Sequence, residues 1–462
     1  MPDNYDVIIV GSGPAGIFAA LELSAHANGL KVLIIEKGKD LEERNCPADV
    51  KGVPCVPCKL CSTLCGWGGA GAFSDGKLTL TPDVGGFLEE YIGRDSLVSM
   101  IGYVDETYKR YGAPETVYGE DTDEVARLKD LAARNDLQLV PTKIRHMGTE
   151  RCFTILRDIR EEILKKVKVR FNTAVSKVLT DKLGVAGIVT DKGETINAKY
   201  VILAPGREGS EWLAGEAKRL KLTTLNNPVD IGVRVEVPAA TLKPLTDACY
   251  ESKLIFHSKK FDDKVRTFCM NPYGEVVREY SKGVTTVNGH SYAKYRTDNT
   301  NFAILASTYF TEPFHEPIAY GQYIAKLANF LGKGVMVQRL GDLRQGRRST
   351  TERIKRGLVT PTLKDATPGD LSFVIPYRYV SDILEMLEAM DRICPGVNSR
   401  HTLLYGVEVK FYSMKLKLTP ELMTETGRLY AVGDGAGVSR GLVQASVSGV
   451  VAARDILKNV RG

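Results

Sequence analysis

Five of the nine cysteines crowd into a short N-terminal stretch: Cys46, then Cys55, Cys58, Cys61 and Cys65. Cys55-Val-Pro-Cys58-Lys-Leu-Cys61-Ser-Thr-Leu-Cys65 has the CxxCxxCxxxC spacing with which thiolates hold 4Fe–4S clusters in bacterial ferredoxins. Two features depart from that pattern. Gly66 follows Cys65 where a proline is usual, and there is no second set of cysteines for a second cluster. A single cluster takes Cys55, Cys58 and Cys61, with Cys65 or Cys46 as the fourth ligand. The expectation is a 4Fe–4S site on Cys55, Cys58, Cys61 and Cys65. Tetrahedral zinc and unmetallated thiols, including a thiol–disulfide pair, are the alternatives.

A second kind of chemistry is written at the start of the chain. Gly11, Gly13 and Gly16 fill a GxGxxG frame. The first permits a tight turn, the second lets backbone approach a pyrophosphate, and the third packs helix on strand. Asp6 to Val10 before them is a β-branched apolar run, and Pro14 to Ala27 after them has helical spacing. Pro14 and Ala15 thus sit where a helix start offers free N–H groups to an anion. A further apolar run, Lys31 to Ile35, ends at Glu36, twenty residues past Gly16 and followed by Lys37, where an acid would hold ribose hydroxyls. Strand, glycines, helix, strand and acid in that order predict a dinucleotide site.

The far end of the chain identifies which dinucleotide. Arg428-Leu-Tyr-Ala-Val-Gly-Asp-Gly-Ala-Gly437 is a buried strand running into a glycine turn that carries Gly433 and Asp434. An apolar helix follows from about Leu442. This resembles the second fingerprint of FAD enzymes of the glutathione-reductase-like superfamily. The resemblance implies that Asp434 contacts the ribityl chain and that Gly441, Leu442 and Val443 face the flavin. It also implies that Val175 meets the adenine, and that the turn after Lys199–Ala204, with Ala204, Gly206 and Arg207, closes the middle strand. In related flavoproteins a glycine-rich loop wraps the pyrophosphate and the ring. Gly66-Trp-Gly-Gly-Ala-Gly-Ala-Phe-Ser-Asp-Gly-Lys77 lies in the corresponding place. Gly69, Ala70, Gly71 and Gly76 would approach the cofactor, and Ser74, Asp75 and Lys77 would hydrogen-bond the isoalloxazine edge; a structural turn array is the alternative.

Together with the cysteines, the runs GGAGAFSDGKL, VDIGVRVE, FCMNPYGEVV and VGDGAG resemble bacterial and archaeal uncharacterised FAD-dependent dehydrogenases over essentially the whole chain. The implied fold class is α/β: a discontinuous Rossmann-like FAD-binding domain, 1–226 and 402–462, with an inserted mixed-sheet α+β substrate or cap domain, 227–401. From Val229 the texture changes to strand-like runs without regular βα alternation, such as the alternating Asp230–Glu236, read as a strand with one wet face. Arg151 to Lys166 reads as a helix with Thr149 as its N-cap.

The implied activity is an FAD-dependent oxidoreductase, a dehydrogenase or reductase of a C–C or C–N bond in a small organic substrate. A cluster would let electrons arrive from a ferredoxin-like donor. There is no second GxGxxG, so NAD(P)H is expected only as a transient donor. Catalytic candidates are His146, as a proton donor or a helix-start organiser, and Arg347 with Arg348. The two arginines read as a carboxylate or phosphate clamp or as a solvated basic loop. A thiol–disulfide flavin oxidoreductase and a tRNA-modifying flavoprotein are the competing classes. Net charge is +6, from 62 basic and 56 acidic residues, too mild to indicate nucleic acid by itself. No apolar run reaches membrane-span length and no basic leader precedes the first strand, so a cytoplasmic location is expected.

Overall fold

The computed structural model describes all residues except 1–3, 27–28, 48–57, 75, 120–121, 226, 250, 282, 292–294, 311–315, 411–412 and 462. The chain forms two compact units: Met1–Val117, Lys143–Leu225 and Ser413–Gly462 make the first, Tyr118–Thr142 and Asn226–Tyr412 the second.

The first unit is built on strand β1 (Asn4–Val10), helix α1 (Pro14–His26) and strand β2 (Val32–Ile35), where the sequence predicts Asp6–Val10, Pro14–Ala27 and Lys31–Ile35. β1 is the hub of a sheet ordered Lys168–Arg170, β2, β1, Thr195–Leu203, Gly184–Thr190, Val175–Asp181, with Leu429–Ala431 also pairing Thr195–Leu203. All pairings as far as Thr195–Leu203, and that with Leu429–Ala431, are parallel; the last two pairings are antiparallel. Strands buried on both faces need apolar residues throughout, and Val7, Ile8, Ile9, Leu33 and Ile34 are fully buried. The C-terminal helix Leu442–Arg461 lies against α1 so closely that a Cβ on Gly449 would stand 2.0 Å from the Ala15 carbonyl oxygen.

The second unit carries an eight-stranded sheet whose central strand is Val229–Pro238, flanked by Asn299–Thr308 and Leu403–Lys410 in antiparallel register. Its odd positions, Val233, Val235 and Val237, join Phe302, Ile304, Leu242 and Met386 in an apolar core. Its even positions are polar and were expected to meet water. They are buried instead: Asp230, Arg234 and Glu236 are at most 1% exposed. Each has its own cover: the hairpin Glu275–Ser281/Val284–His290 reaches Arg234 through Asn288, Arg266 and Ser307 hold Asp230, and Thr362, Tyr405 and Asn299 hold Glu236. Arg234 grips Glu408 with Nε (2.8 Å) and Nη2 (2.9 Å), and its Nη2 also reaches Asn288 Oδ1 of the hairpin at 2.9 Å. Lys410 bridges Glu408 (3.3 Å) and Glu279 (3.1 Å). Glu236 accepts from Thr362 Oγ1 (2.6 Å) and Tyr405 OH (2.5 Å).

Three further sequence expectations are altered. Residues 118–142, expected within the first domain, fall in the second unit because Leu137–Pro141 pairs with Ser252–His257 there. Residues 402–412, assigned by sequence to the FAD domain, also fall there, because Leu403–Lys410 pairs with the central strand. The helix expected after Thr149 begins at Thr149 itself, with Gly148 in the cap position. Among the described residues no helix is long and apolar enough to cross a membrane.

Two predictions follow from the second unit. Arg234→Met leaves Glu408 as a buried charge without its fork, which costs about 3–5 kcal/mol in urea unfolding. Replacing both partners by methionine recovers most of that loss. The second concerns Asp382, fully buried beside Asp263. Burial lifts its carboxyl to about 6, with the neighbouring Asp263 adding to the rise and Arg378 opposing it. The folded state therefore keeps this proton where the unfolded chain releases it. Stability falls as pH rises from the ordinary carboxylate range through 6 and stays lower above it. Asp382→Asn should stabilise the protein at pH 8 by on the order of 1 kcal/mol and flatten this part of the Tm–pH curve.

Candidate functional site: the dinucleotide cradle

The three fingerprint glycines stand under different constraints. Gly11 has φ +105°, and a Cβ there would lie 2.2 Å from the Ala204 carbonyl oxygen. The turn thus presses on the end of Thr195–Leu203, whose next residue, Ala204, donates its N–H to Val10 O at 2.8 Å. A Cβ on Gly16 would lie 2.0 Å from Gly11 O. Gly13 differs: its Cβ would meet nothing nearer than Gly69 Cα at 4.0 Å. The fold requires glycine at positions 11 and 16, and leaves space at 13.

Above this turn lies the glycine-rich loop. Gly69–Phe73 is a short 3-10 turn, and Gly68 N donates to Ser12 O at 2.8 Å. Gly71 stands against both helix starts: its Cβ would be 2.7 Å from Leu442 Cδ2 and 3.7 Å from Pro14 Cγ. Ala70 is half-buried beside it. A Cβ on Gly433 would lie 3.1 Å from Ala15 Cβ, and one on Gly435 would lie 2.4 Å from Gly206 O. Asp434 accepts from Ser439 Oγ at 2.6 Å, and Arg207 Nε comes to 4.0 Å of its other oxygen. Gly441 precedes the helix whose first residues are Leu442 and Val443, and its Cβ would stand 3.9 Å from Gly85 Cα. The starts of two long helices, the Gly69–Phe73 turn and the Asp434 turn therefore converge. Helix starts present N–H groups to anions, and glycine on each side keeps the backbone reachable, so the donor set fits a dinucleotide pyrophosphate.

Glu36 is at this cradle, but its carboxylate already accepts four protein donors. Oε2 accepts from Ser12 N and Ser12 Oγ, each at 2.8 Å, and Oε1 from Gly38 N (2.8 Å) and Gly66 N (3.1 Å). Of the four, the Ser12 hydroxyl is the one that can rotate away to admit a ribose hydroxyl. Lys37 is half-buried beside it. Val175 opens the strand Val175–Asp181 and is 8% exposed. Ser74 turns its hydroxyl inward to Gly71 O at 2.8 Å and accepts from Gly76 N at 3.2 Å. Lys77 pairs with His146 between the short strands Lys77–Thr79 and Ile144–His146, which brings His146 to the end of the glycine loop. Asp75 lies outside the described residues.

Other expected residues are placed differently. Arg347 and Arg348 lie in the second unit. Arg347 Nε donates to the buried Asp342 at 2.9 Å, which makes it part of a local ion pair, and Arg348 is exposed next to it. Of the cysteines expected as metal ligands, Cys55 lies outside the described residues, Cys58 is exposed, Cys61 Sγ stands 3.0 Å from Thr63 Oγ1, and Cys65 is buried. Burial pushes the Cys65 thiol up to about 11. Among the described residues no three His, Cys, Asp or Glu side chains gather to hold a metal ion. The described cysteines do not form a four-thiolate cage. A residue that sequence reading passed over is Arg44, buried under the cysteine turn and the glycine loop. Its guanidinium is drawn down to about 10 by burial, against the opposing pull of Glu36. Its only sequence signal was an arginine between the acidic strand and the cysteines.

Residues 228–411 match a family model described as FAD-dependent protein, C-terminal domain-like, and residues 5–60 match one described as pyridine nucleotide-disulphide oxidoreductase. The chain is 29% identical over 481 residues to an uncharacterized protein of Clostridium beijerinckii, covering 98% of this chain and 80% of that one. Looser structural likenesses include an E. coli quinol fumarate reductase, with a TM-score of 0.42 and 12% identity over 100% of this chain and 71% of that one. Another is L-proline dehydrogenase from P. horikoshii, with a TM-score of 0.41 and 13% identity over 99% and 95% of the two chains. Glycine oxidase from Bacillus cereus has a TM-score of 0.37 and 13% identity over 98% and 95%. The two segment matches fall on the cradle and on the second unit's sheet. The protein is an FAD-dependent oxidoreductase.

The contrast between glycines 11 and 13 is directly testable. Gly13→Ala should leave the Tm of the cofactor-free protein within about 1–2 °C, because the fold has room for the methyl group, yet weaken FAD binding at least tenfold by equilibrium titration. Gly11→Ala should lower the Tm of the cofactor-free protein itself, since its φ and the Ala204 oxygen both oppose a side chain.

Proposed function

We propose that the protein is a flavin-dependent dehydrogenase or reductase acting on a C–C or C–N bond of a small organic substrate. The observation that carries this reading is the convergence of the Pro14 and Leu442 helix starts beneath the Gly69–Phe73 turn, with Asp434 fixed by Ser439 beside them. FAD held there supplies hydride transfer. The chain's own residues do the positioning. Gly13 and Gly69 give backbone access, Asp434 offers a carboxylate oriented by the Ser439 hydroxyl, and Glu36 offers an oxygen to ribose once the Ser12 hydroxyl turns. His146, at the end of the glycine loop, is the group we assign to hold or move a proton, and the polar sheet of the second unit is the assigned substrate domain.

In the thiol–disulfide reading Cys65 is the cysteine least suited to attack, since burial pushes its thiol up to about 11 and the thiolate is the nucleophile. A ferredoxin-like donor and a 4Fe–4S site rest on cysteine spacing alone, and NAD(P)H as a transient donor rests on the lack of a second fingerprint.

The test is an absorption spectrum with FAD, iron and acid-labile sulfide assays on protein purified without oxygen. One FAD per chain, bleached by a two-electron reductant, is the expected result. Failure to take up FAD after reconstitution overturns the reading. Stoichiometric iron and sulfide would restore the cluster to the scheme, and their absence would leave a flavin-only enzyme.

A further inference from the structure

The stretch from Cys61 to Phe73 has little regular structure, yet much of it is buried, Trp67 completely so. Buried peptide groups outside helices and sheets need other partners. The carbonyls find them in one side chain. Arg44 Nε donates to Ser62 O at 2.9 Å, Nη1 to Trp67 O at 2.5 Å, and Nη2 to Thr63 O at 3.0 Å and Gly69 O at 2.9 Å. The guanidinium is also 4.8 Å over the Phe73 ring, and Arg44 is only 3% exposed. A planar fork of five N–H groups can serve four carbonyls at once; an ammonium cannot. The same segment gives Gly66 N to Glu36 and Gly68 N to Ser12 O, so it is pinned to the fingerprint turn from the other side.

We propose that Arg44 is the positioning residue of the cofactor loop: by holding the carbonyls of Ser62, Thr63, Trp67 and Gly69 it makes the cysteine turn and the glycine loop one piece, and sets Gly69–Phe73 over the pyrophosphate cradle. This rests on the flavin reading. It assigns the cysteine turn a mechanical role that needs no metal: the turn supplies two of the four carbonyls that orient the loop.

Trp67 reports on the loop directly. It is one of two tryptophans; Trp212, whose indole donates to Ser176 O, is replaced by phenylalanine to leave Trp67 alone. In this Trp212→Phe background, Arg44→Met and Arg44→Lys are compared by Trp67 emission, acrylamide quenching and FAD titration. Arg44→Met should shift the cofactor-free emission to the red, raise quenching severalfold and raise the FAD Kd at least tenfold. Arg44→Lys should show the same changes with smaller amplitude. Millimolar guanidinium ion should restore part of the FAD affinity of the methionine variant. Unchanged emission and a Kd within twofold of the parent in the variants overturn the proposal while leaving the flavin reading intact. A parent protein that takes up no FAD overturns both. Should the methionine variant not fold, the lysine variant decides by the same two readouts.

Discussion

The first unit depends on how a buried irregular loop has its peptide groups satisfied. Glu36 and Arg44 divide that task by charge. The carboxylate collects N–H groups, from Ser12, Gly38 and Gly66. The guanidinium collects carbonyls, from Ser62, Thr63, Trp67 and Gly69. Each residue is a charge taken out of water, and each is tolerable because its hydrogen-bonding capacity is filled by fixed peptide dipoles. The strand end, the fingerprint turn and the glycine loop are thereby tied without a sheet ladder, which leaves the loop backbone free of side chains where the two helix starts converge.

The second unit solves a related problem at larger scale. Its central strand has one apolar face and one ionic face, and the ionic side chains are closed off by the hairpin at Arg234, by Arg266 and Ser307 at Asp230, and by Thr362 and Tyr405 at Glu236. Such pairs add little to stability compared with an apolar isostere, because the desolvation of Arg234, Glu408 and Lys410 offsets their attraction. Their effect is on register. A slip by one residue in Val229–Pro238 would send Arg234 and Glu236 into the valine core.

Much of the cradle was legible in the sequence, because its constraints are local. The fingerprint, β1, α1, β2, Glu36 and the Gly433–Leu442 segment each announce themselves through backbone demands made within a few residues. What was not legible depends on distant partners. Nothing in Leu137–Pro141 says that its neighbour is Ser252–His257, and an alternating strand reads as half-wet until Asn288 and Glu279 are seen to cover it. Arg347 read as an anion clamp or a solvated basic loop, and its partner Asp342, five residues back inside an ordinary-looking segment, gave no sign of the pairing. Arg44 was invisible for the same reason: its partners are carbonyls, which have no side-chain signature.

The glycines show how a fold can separate what it needs from what its ligand needs. Gly11 and Gly16 meet backbone atoms at distances no Cβ could occupy, so the protein alone accounts for them. Gly13, at the centre of the same motif, would bring a Cβ only to 4.0 Å of Gly69 Cα, an ordinary van der Waals contact. Glycine carries an entropic cost in the unfolded chain, and at a helix start with no steric demand alanine would stabilise the fold. A glycine that the fold does not require stands where two helix starts and a glycine loop converge, the place where a bound pyrophosphate would call for close backbone approach.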